Sequence, residues 1–185
     1  MKQKVEEKII APKEIIIGEA NAKVLLVEYG DYESPETAKA NEVVQQLLEE
    51  FEGKIGYTFR HFPQTKIHQR SFKAAEAAIG AAQEGKFWEM HNLLFKRLRN
   101  LGTTSLKGYA REVGVTSKHF LDDLMNSKYG WYVREDQSEG VQAGVKDLPA
   151  FFINGIRFEG KPTFHNLSAA IGTALRSRKK IKQAA

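Results

Sequence analysis

Residues 24–37 have the sequence VLLVEYGDYESPET, which predicts a buried strand, a loop and the start of a helix. The run 24–29 is apolar and rich in strand-forming residues, with Glu28 as the one charged residue inside it. Ser34 is a preferred helix N-cap residue, and Pro35 suits the first helical position because an N–H there would have no intrahelical partner. We therefore expect a strand that leads into a helix beginning at Pro35.

The flanking segments extend this unit. The helix continues with an apolar stripe at helical spacing, formed by Val44, Leu47, Leu48 and Phe51. Residues 55–62 alternate in polarity and are followed by Pro63, which predicts another strand, and the run 15–17 predicts a short strand before the first one. The first half of the chain is therefore expected to contain a β-α-β unit with a right-handed crossover.

Residues 67–142 show helical periodicity. Apolar residues recur at helical spacing in four successive groups, and a further helix is predicted over 131–142. The second group consists of Phe87, His91, Leu94, Leu98 and Leu101. Because no Ser/Gly-rich linker separates this block from its flanks, we interpret it as an all-helical insertion docked on the sheet.

The last part of the chain returns to strands. Asn154 and Gly155 stand between the β-rich runs 150–153 and 156–159, and this dipeptide is the strongest short-range signal for an antiparallel hairpin. A final helix is predicted from Pro162 to about residue 178, with an apolar face at helical spacing.

Composition limits the chemistry. The chain has 185 residues, 42% of them hydrophobic and 28% charged, which fits one globular domain over residues 1–185. It contains no cysteine. A disulfide, a thiolate nucleophile, a thiol-ligated zinc and an iron–sulfur cluster are therefore all excluded.

The formal charge of +5 is concentrated in a basic C-terminal tail, residues 176–185. The tail holds five basic residues and no acid, which leaves 23 basic residues against 23 acidic ones in the rest of the chain. Such a tail could contact the phosphates of nucleic acid or of a membrane. We favour a solvated helix end, where cations suit the helix dipole, and do not expect a nucleic-acid partner.

No stretch approaches the ~18 consecutive apolar residues of a transmembrane helix. Residues 1–17 lack the apolar core and small-residue cleavage site of a secretory signal. These features predict a cytoplasmic protein without a membrane span, and a removed leader would leave the same pattern.

Three stretches resemble the DsbA-like family of the thioredoxin superfamily. VEYGDYESPET (27–37) is similar to its strand, active-site and helix segment, usually V-E-F-x-D-F-x-C-P-x-C. FRHFPQTKIHQRSFKAAEAAIGAAQEGKFWEMHNLLF (59–95) resembles its third strand and first inserted helices, and GVKDLPAFFINGIRFEG (144–160) its cis-proline loop and hairpin. The resemblance implies an α/β, thioredoxin-like fold: a central mixed sheet flanked by helices, with the helical insertion at 67–142.

The chain departs from the family at the catalytic motif. Where the family has C-P-x-C, this chain has Ser34, Pro35, Glu36 and Thr37, so both sulfurs are absent. A helix N-terminus lowers the pKa of a thiol, but a hydroxyl gains too little to ionise near neutral pH, and oxygen cannot exchange with a disulfide. We therefore predict no catalytic residue for dithiol chemistry. Glu36 and Thr37 are not typical of a laboratory exchange, and we interpret the loss as natural.

Two residues of this segment allow more than one interpretation. Ser34 could act as a nucleophile, but no base is identifiable in the sequence, and we favour its role as an N-cap. Glu28 matches the buried acid that the family places near the second cysteine for proton transfer. Burial predicts either a raised pKa or a pairing with a buried Lys or Arg, and the acid is a proton acceptor or simply a hydrogen-bonded carboxyl.

Leu148 and Pro149 match the cis-proline loop, which in the family offers backbone groups to an extended peptide. With Asp147, they are the predicted peptide-binding residues, and Leu148 departs from the Thr or Val that is common there. The five histidines have no dense ligand spacing, so neither a metal nor a cofactor is predicted. His91, Trp88 and Trp131 are interpreted as packing residues.

The leading hypothesis is a redox-inactive DsbA-like protein that binds an extended polypeptide or protein partner through the surface around Ser34 and Pro149. One alternative is a thiol–disulfide oxidoreductase or isomerase in the family's general sense, or a small-thiol transferase that works without its own thiol. A third is recruitment to nucleic acid or membrane through residues 176–182. The sequence does not name the partner or the oligomeric state.

Overall fold

The computed structural model describes residues 9–177, which form five strands and seven α-helices. The strands are β1 (Ile17–Gly18), β2 (Val24–Gly30), β3 (Ile55–His61), β4 (Ala150–Ile153) and β5 (Ile156–Arg157). The helices are α1 (Pro35–Glu50), α2 (Ser71–Ala82), α3 (Phe87–Lys96), α4 (Thr103–Glu112), α5 (Phe120–Met125), α6 (Gly130–Gln142) and α7 (Phe164–Arg176). A short 3-10 turn, Pro12–Glu14, precedes β1.

The strands form one mixed sheet in the order β1-β3-β2-β4-β5. β2 and β3 are parallel and connected by α1, whereas the other neighbours are antiparallel. Glu28 in the middle of β2 lies between Phe59 on β3 and Phe151 on β4. The predicted fold class, a mixed sheet flanked by helices with a helical block between its halves, is confirmed.

Local sequence explains the main boundaries. Ser34 caps α1 by accepting a hydrogen bond from the Thr37 N–H, and Pro35 occupies the first turn, as predicted. Asn154 and Gly155 both adopt positive φ, 51° and 77°, which the tight β4–β5 hairpin requires. Thr163 caps α7. These ends are set by residues within three positions of the boundary.

The helices α2 to α6 fill the chain between β3 and β4 and share the core of the sheet. Nearly all of α2 is buried, and its six alanines let α3, α4, α5 and α6 all pack against it. The block is therefore packed into the body of the protein.

A buried ionic cluster attaches α6 to β3. The Asp136 carboxylate accepts hydrogen bonds from Arg60 Nε, the His61 backbone N–H and His61 Nδ1. Arg60 also donates to Glu139 Oε2 at the edge of the protein. A carboxylate with this many donors offsets the cost of its burial, so the cluster fixes the last inserted helix on the sheet.

Three local predictions need correction or fall outside the described residues. α3 ends at Lys96, because the Arg97 N–H bonds to Leu93 and Leu94 carbonyls and closes the helix, so Leu98 and Leu101 lie beyond it. Trp131 is 70% exposed and is not a packing residue, because its position near the start of α6 points to solvent. Most of the basic tail, residues 178–185, lies outside the described residues.

We expect Asp136→Ala to lower the free energy of unfolding by about 3–5 kcal/mol, because it leaves the buried Arg60 guanidinium without its main partner. Denaturant unfolding followed by far-UV circular dichroism would measure the change.

Glu135→Ala on the same helix is the matched control. Its ion pair with Lys13 is long, at 3.6 Å, and solvent-accessible, so we expect a change within about 1 kcal/mol. Equal losses for the two variants would contradict the role of the Asp136 cluster.

Candidate functional site

The loop between β2 and α1 is organised by Asp31, whose carboxylate is buried. Asp31 Oδ1 accepts the Glu33 N–H at 2.8 Å. Asp31 Oδ2 accepts the Gln64 N–H at 2.7 Å and lies 2.9 Å from His68 Nδ1. The Ser34 N–H bonds to the Asp31 backbone carbonyl. One side chain thus connects the end of β2, the start of α1 and the loop after β3.

The hydroxyls of Ser34 and Thr37 are used in local structure. Ser34 Oγ accepts the Thr37 N–H at 3.1 Å and donates to Glu36 Oε2 at 3.2 Å. Thr37 Oγ1 accepts the Asp31 N–H at 3.4 Å. Because Ser34 Oγ accepts the Thr37 N–H and donates to an acid of its own turn, both contacts are local, and Ser34 functions as the N-cap of α1.

Thr37 is fully buried beneath the first turn of α1. A methyl group at Gly30 would lie 2.5 Å from Thr37 Cγ2 and 2.5 Å from Phe59 Cε2, so only glycine fits at the end of β2. Neither Ser34 nor Thr37 reaches the surface. In this first turn, the exposed residues are Pro35 and Glu36.

Glu28 is enclosed in the core and is 1% exposed. The Tyr57 hydroxyl donates to Glu28 Oε2 at 2.7 Å, whereas Oε1 has no hydrogen-bond partner among residues 9–177. Burial raises the pKa of Glu28 from 4.5 to about 8, and the Tyr57 hydrogen bond opposes this only in part. The acid is therefore protonated at neutral pH. Of the two predicted alternatives, the structure supports the raised pKa, since no Lys or Arg among residues 9–177 pairs with Glu28.

An apolar groove of about 470 Å³ runs beside α1. It lies between α1, the loop before β4 and the start of α7, and two charged residues, Glu36 and Lys39, stand at its edge. Its apolar lining consists of Ala40, Val43, Leu148, Pro149, Pro162 and Phe164. A groove of this size and composition is typical of a binding site for an apolar side chain.

The loop before β4 has free backbone groups. The Leu148–Pro149 peptide bond is cis. The backbone N–H and C=O groups of Asp147 and Leu148 make no hydrogen bond among the described residues. The structure thus brings Leu148 and Pro149 together with Glu36 at one groove, while the Asp147 side chain does not line it.

The sequence analysis missed several residues of this region. Val43 is assigned no role by the sequence, Phe164 is expected only on the inward face of the last helix, and Asp31 pairs with His68 across 37 positions of sequence. Asp31 and His68 both lie in the stretches quoted for the family resemblance, but nothing in the local pattern of either stretch indicates that the two side chains meet. His91 was predicted to be a core histidine, and it is buried between Tyr32 and Asn41.

Two further observations on residues 9–177 concern metal binding and membrane insertion. No group of three or more His, Asp or Glu side chains there could hold a metal ion. No helix in that part of the chain has the length and apolar character needed to cross a bilayer.

Comparison with known sequences gives a family match and matches to individual curated proteins. A family model described as thioredoxin matches residues 11–173. The Na(+)/H(+) antiporter NhaA 1 of Salinispora arenicola is 37% identical over 166 residues, which cover 87% of this chain and 25% of the antiporter. The chain thus spans about a quarter of the length of the curated relatives it matches.

Solved structures with a similar fold include the following two. Oxidised BdbD from Bacillus subtilis superposes with a TM-score of 0.81 at 19% identity, covering 90% of this chain and 94% of BdbD. A thioredoxin-like oxidoreductase from Silicibacter pomeroyi gives 0.77 at 23% identity, covering 88% and 92%. At these identities the likeness concerns the fold.

The buried Glu28 makes stability depend on pH. Its pKa is about 8 in the folded protein and near 4.5 when exposed, so the folded state binds the proton more tightly. The resulting stabilisation is complete below about pH 4.5 and is lost as the pH rises toward 8, with a slope of up to ~1.4 kcal/mol per pH unit. We expect Glu28→Gln to remove this slope in denaturant unfolding between pH 5 and 8.

Glu49→Gln, at an exposed position of α1, is the control for this comparison. It should leave the pH profile of wild-type unfolding unchanged. A Glu28→Gln profile as steep as that of the wild type would show that Glu28 is ionised in the folded protein.

Replacing the N-cap of α1 should cost stability. We expect Ser34→Ala to lower the free energy of unfolding by about 1 kcal/mol, because the Thr37 N–H loses its acceptor. Thr163→Ala, which removes the corresponding N-cap of α7, is the reference. No loss for Ser34→Ala would argue against the cap.

Proposed function

The chain belongs to the thioredoxin family, with a DsbA-like helical insertion and no cysteine, and we propose that it is a redox-inactive module that binds an extended polypeptide. The observation that carries this proposal is the groove between α1 and the Leu148–Pro149 loop, where an apolar surface lies beside backbone groups that have no hydrogen-bond partner within residues 9–177. Binding of this kind needs no sulfur.

The two parts of the groove suit two parts of a peptide. The N–H and C=O groups of Asp147 and Leu148 can pair with an extended main chain, as in strand addition. The apolar lining can accept one side chain of that peptide, and Glu36 and Lys39 keep the edge polar. Main-chain pairing supplies affinity, and the apolar pocket supplies selectivity.

The antiporter relatives show one context in which a related sequence occurs. In those proteins the matched segment is about a quarter of a longer chain, so a related sequence occurs joined to other protein regions. Their transport activity is not part of the proposal.

The enzymatic alternatives find less support. Thiol–disulfide exchange requires a thiolate, and the hydroxyls of Ser34 and Thr37 are buried and hydrogen-bonded. A transferase that binds glutathione or another small thiol would need a group to activate that thiol. At the groove the charged side chains are Glu36 and Lys39, both exposed.

We expect peptides with one leucine between glycine and serine residues to shift the amide resonances of residues 36–43 and 147–149 in a 15N-labelled sample. Val43→Glu should weaken this binding about tenfold or more, because it places a carboxylate in the apolar lining. Val141→Glu, at an exposed position of α6, carries the same change away from the groove and should bind as the wild type does. Absence of shifts at the groove would refute the proposal.

A redox assay separates the binding module from the enzyme. We expect no insulin reduction by the wild type above the rate of the added reductant. Ser34→Cys/Thr37→Cys should gain turnover, because it restores two sulfurs at the start of α1. Turnover by the wild type, with dithiothreitol or with glutathione, would favour the enzymatic alternatives.

A further inference from the structure

A second pocket, of about 290 Å³, lies between α1 and α3. Its α1 residues, Ala38, Asn41, Glu42 and Gln45, are on the opposite flank of the helix from those that line the groove. Three of its lining side chains are amides, those of Asn41, Gln45 and Asn92. Three amides in one small pocket form an array of hydrogen-bond donors and acceptors, and their orientation decides what the pocket presents.

The buried His91 ring sets the orientation of these amides, beginning with Asn41. The His91 ring lies between the Tyr32 hydroxyl, 2.9 Å from Nδ1, and Asn41 Oδ1, 3.1 Å from Nε2. Burial lowers the pKa of His91 to about 3, with nearby His61 adding to the effect, so the ring is neutral and carries one proton. With that proton on Nε2, the Tyr32 hydroxyl donates to Nδ1 and Nε2 donates to Asn41. The other tautomer would leave the buried Tyr32 proton without an acceptor.

This polarity continues outward to the pocket. Because Asn41 Oδ1 faces His91, the Asn41 amide nitrogen donates to Asn92 Oδ1 at 3.2 Å. The Gln45 amide nitrogen donates to the same oxygen at 3.4 Å. The other polar atoms of these two amides are Asn92 Nδ2, a donor, and Gln45 Oε1, an acceptor. Neither has a hydrogen-bond partner among the described residues. Asn41 is 8% exposed, so the side chain that orients Asn92 is itself buried.

We propose that this pocket binds an amide group, with Asn92 Nδ2 donating to the carbonyl oxygen of the ligand and Gln45 Oε1 accepting its N–H. A neutral amide matches both atoms. An anion would face Gln45 Oε1 and the carboxylate of Glu42, and a cation would face the Asn92 amide donor and Lys96. The same group occurs in small primary carboxamides and in the main chain of a polypeptide.

Two probes distinguish these sources in 15N-labelled protein: N-acetylglycinamide, a small carboxamide, and a glycine–serine repeat peptide, which offers main-chain amides only. We expect at least one of them to shift the Asn92 and Gln45 side-chain amide resonances. Shifts with the first alone identify a small carboxamide, and shifts with the peptide identify a polypeptide main chain. Glucose and acetate serve as hydroxyl and anion controls. No shift with either amide, or equal shifts with glucose or acetate, would overturn the proposal.

Asn92→Asp is the decisive variant. An aspartate keeps an oxygen to accept from Asn41 and Gln45, but it replaces the outward donor with an acceptor. We expect the amide probe to bind about tenfold or more weakly, with little change in thermal stability. Gln46→Glu, an exposed neighbour on α1, introduces the same charge and should bind as the wild type does. If Asn92→Asp unfolds, Gln45→Ala tests the outward acceptor instead. Unchanged affinity in a folded Asn92→Asp or Gln45→Ala protein would refute the site.

Discussion

The position of α1 depends on the buried carboxylate of Asp31. A buried carboxylate is costly unless several donors surround it, and Asp31 has the Glu33 and Gln64 N–H groups and the His68 ring. These donors come from the start of α1 and from the loop after β3, so satisfying one charge at the end of β2 brings the three segments together. Since α1 forms one wall of the groove and one wall of the amide pocket, both sites inherit their geometry from this arrangement.

The core follows a consistent electrostatic rule. Titratable groups with too few partners are neutral: Glu28, with one hydrogen bond from Tyr57, has a pKa raised by burial, and His91, held by two neutral groups, has a pKa lowered by burial. By contrast, the Asp136 carboxylate is compensated by the Arg60 guanidinium and by His61 donors. Because Glu28 and His91 are neutral and Asp136 is paired, these buried groups place no uncompensated charge in the low-dielectric core.

The first turn of α1 holds its conformation without a thiol. In this chain the first turn of α1 needs only an acceptor at the N-cap and a small buried side chain against Gly30, and Ser34 and Thr37 supply both. The exposed surface of the same turn, with Glu36 beside Leu148 and Pro149, does not involve those positions. Structural and chemical requirements on this motif are therefore separable, and only the chemical one is missing.

Part of the fold and of the candidate site could be predicted from the sequence, and the rest depends on the tertiary structure. The division between the two has a physical cause. Signals that act over a few residues predicted the β2 strand, the Ser34 cap, the Asn154-Gly155 hairpin and the burial of Glu28, because caps, turns and apolar periodicity are local. The absence of cysteine excluded dithiol chemistry from the sequence alone. The tertiary structure alone decided that Asp31 meets His68, that Val43 and Phe164 share a groove with Pro149, and that Asn41 and Asn92 meet across two helices. These contacts join residues about 40 to 120 positions apart, and hydrogen bonds and packing at such separations depend on how whole elements dock, which no local pattern specifies.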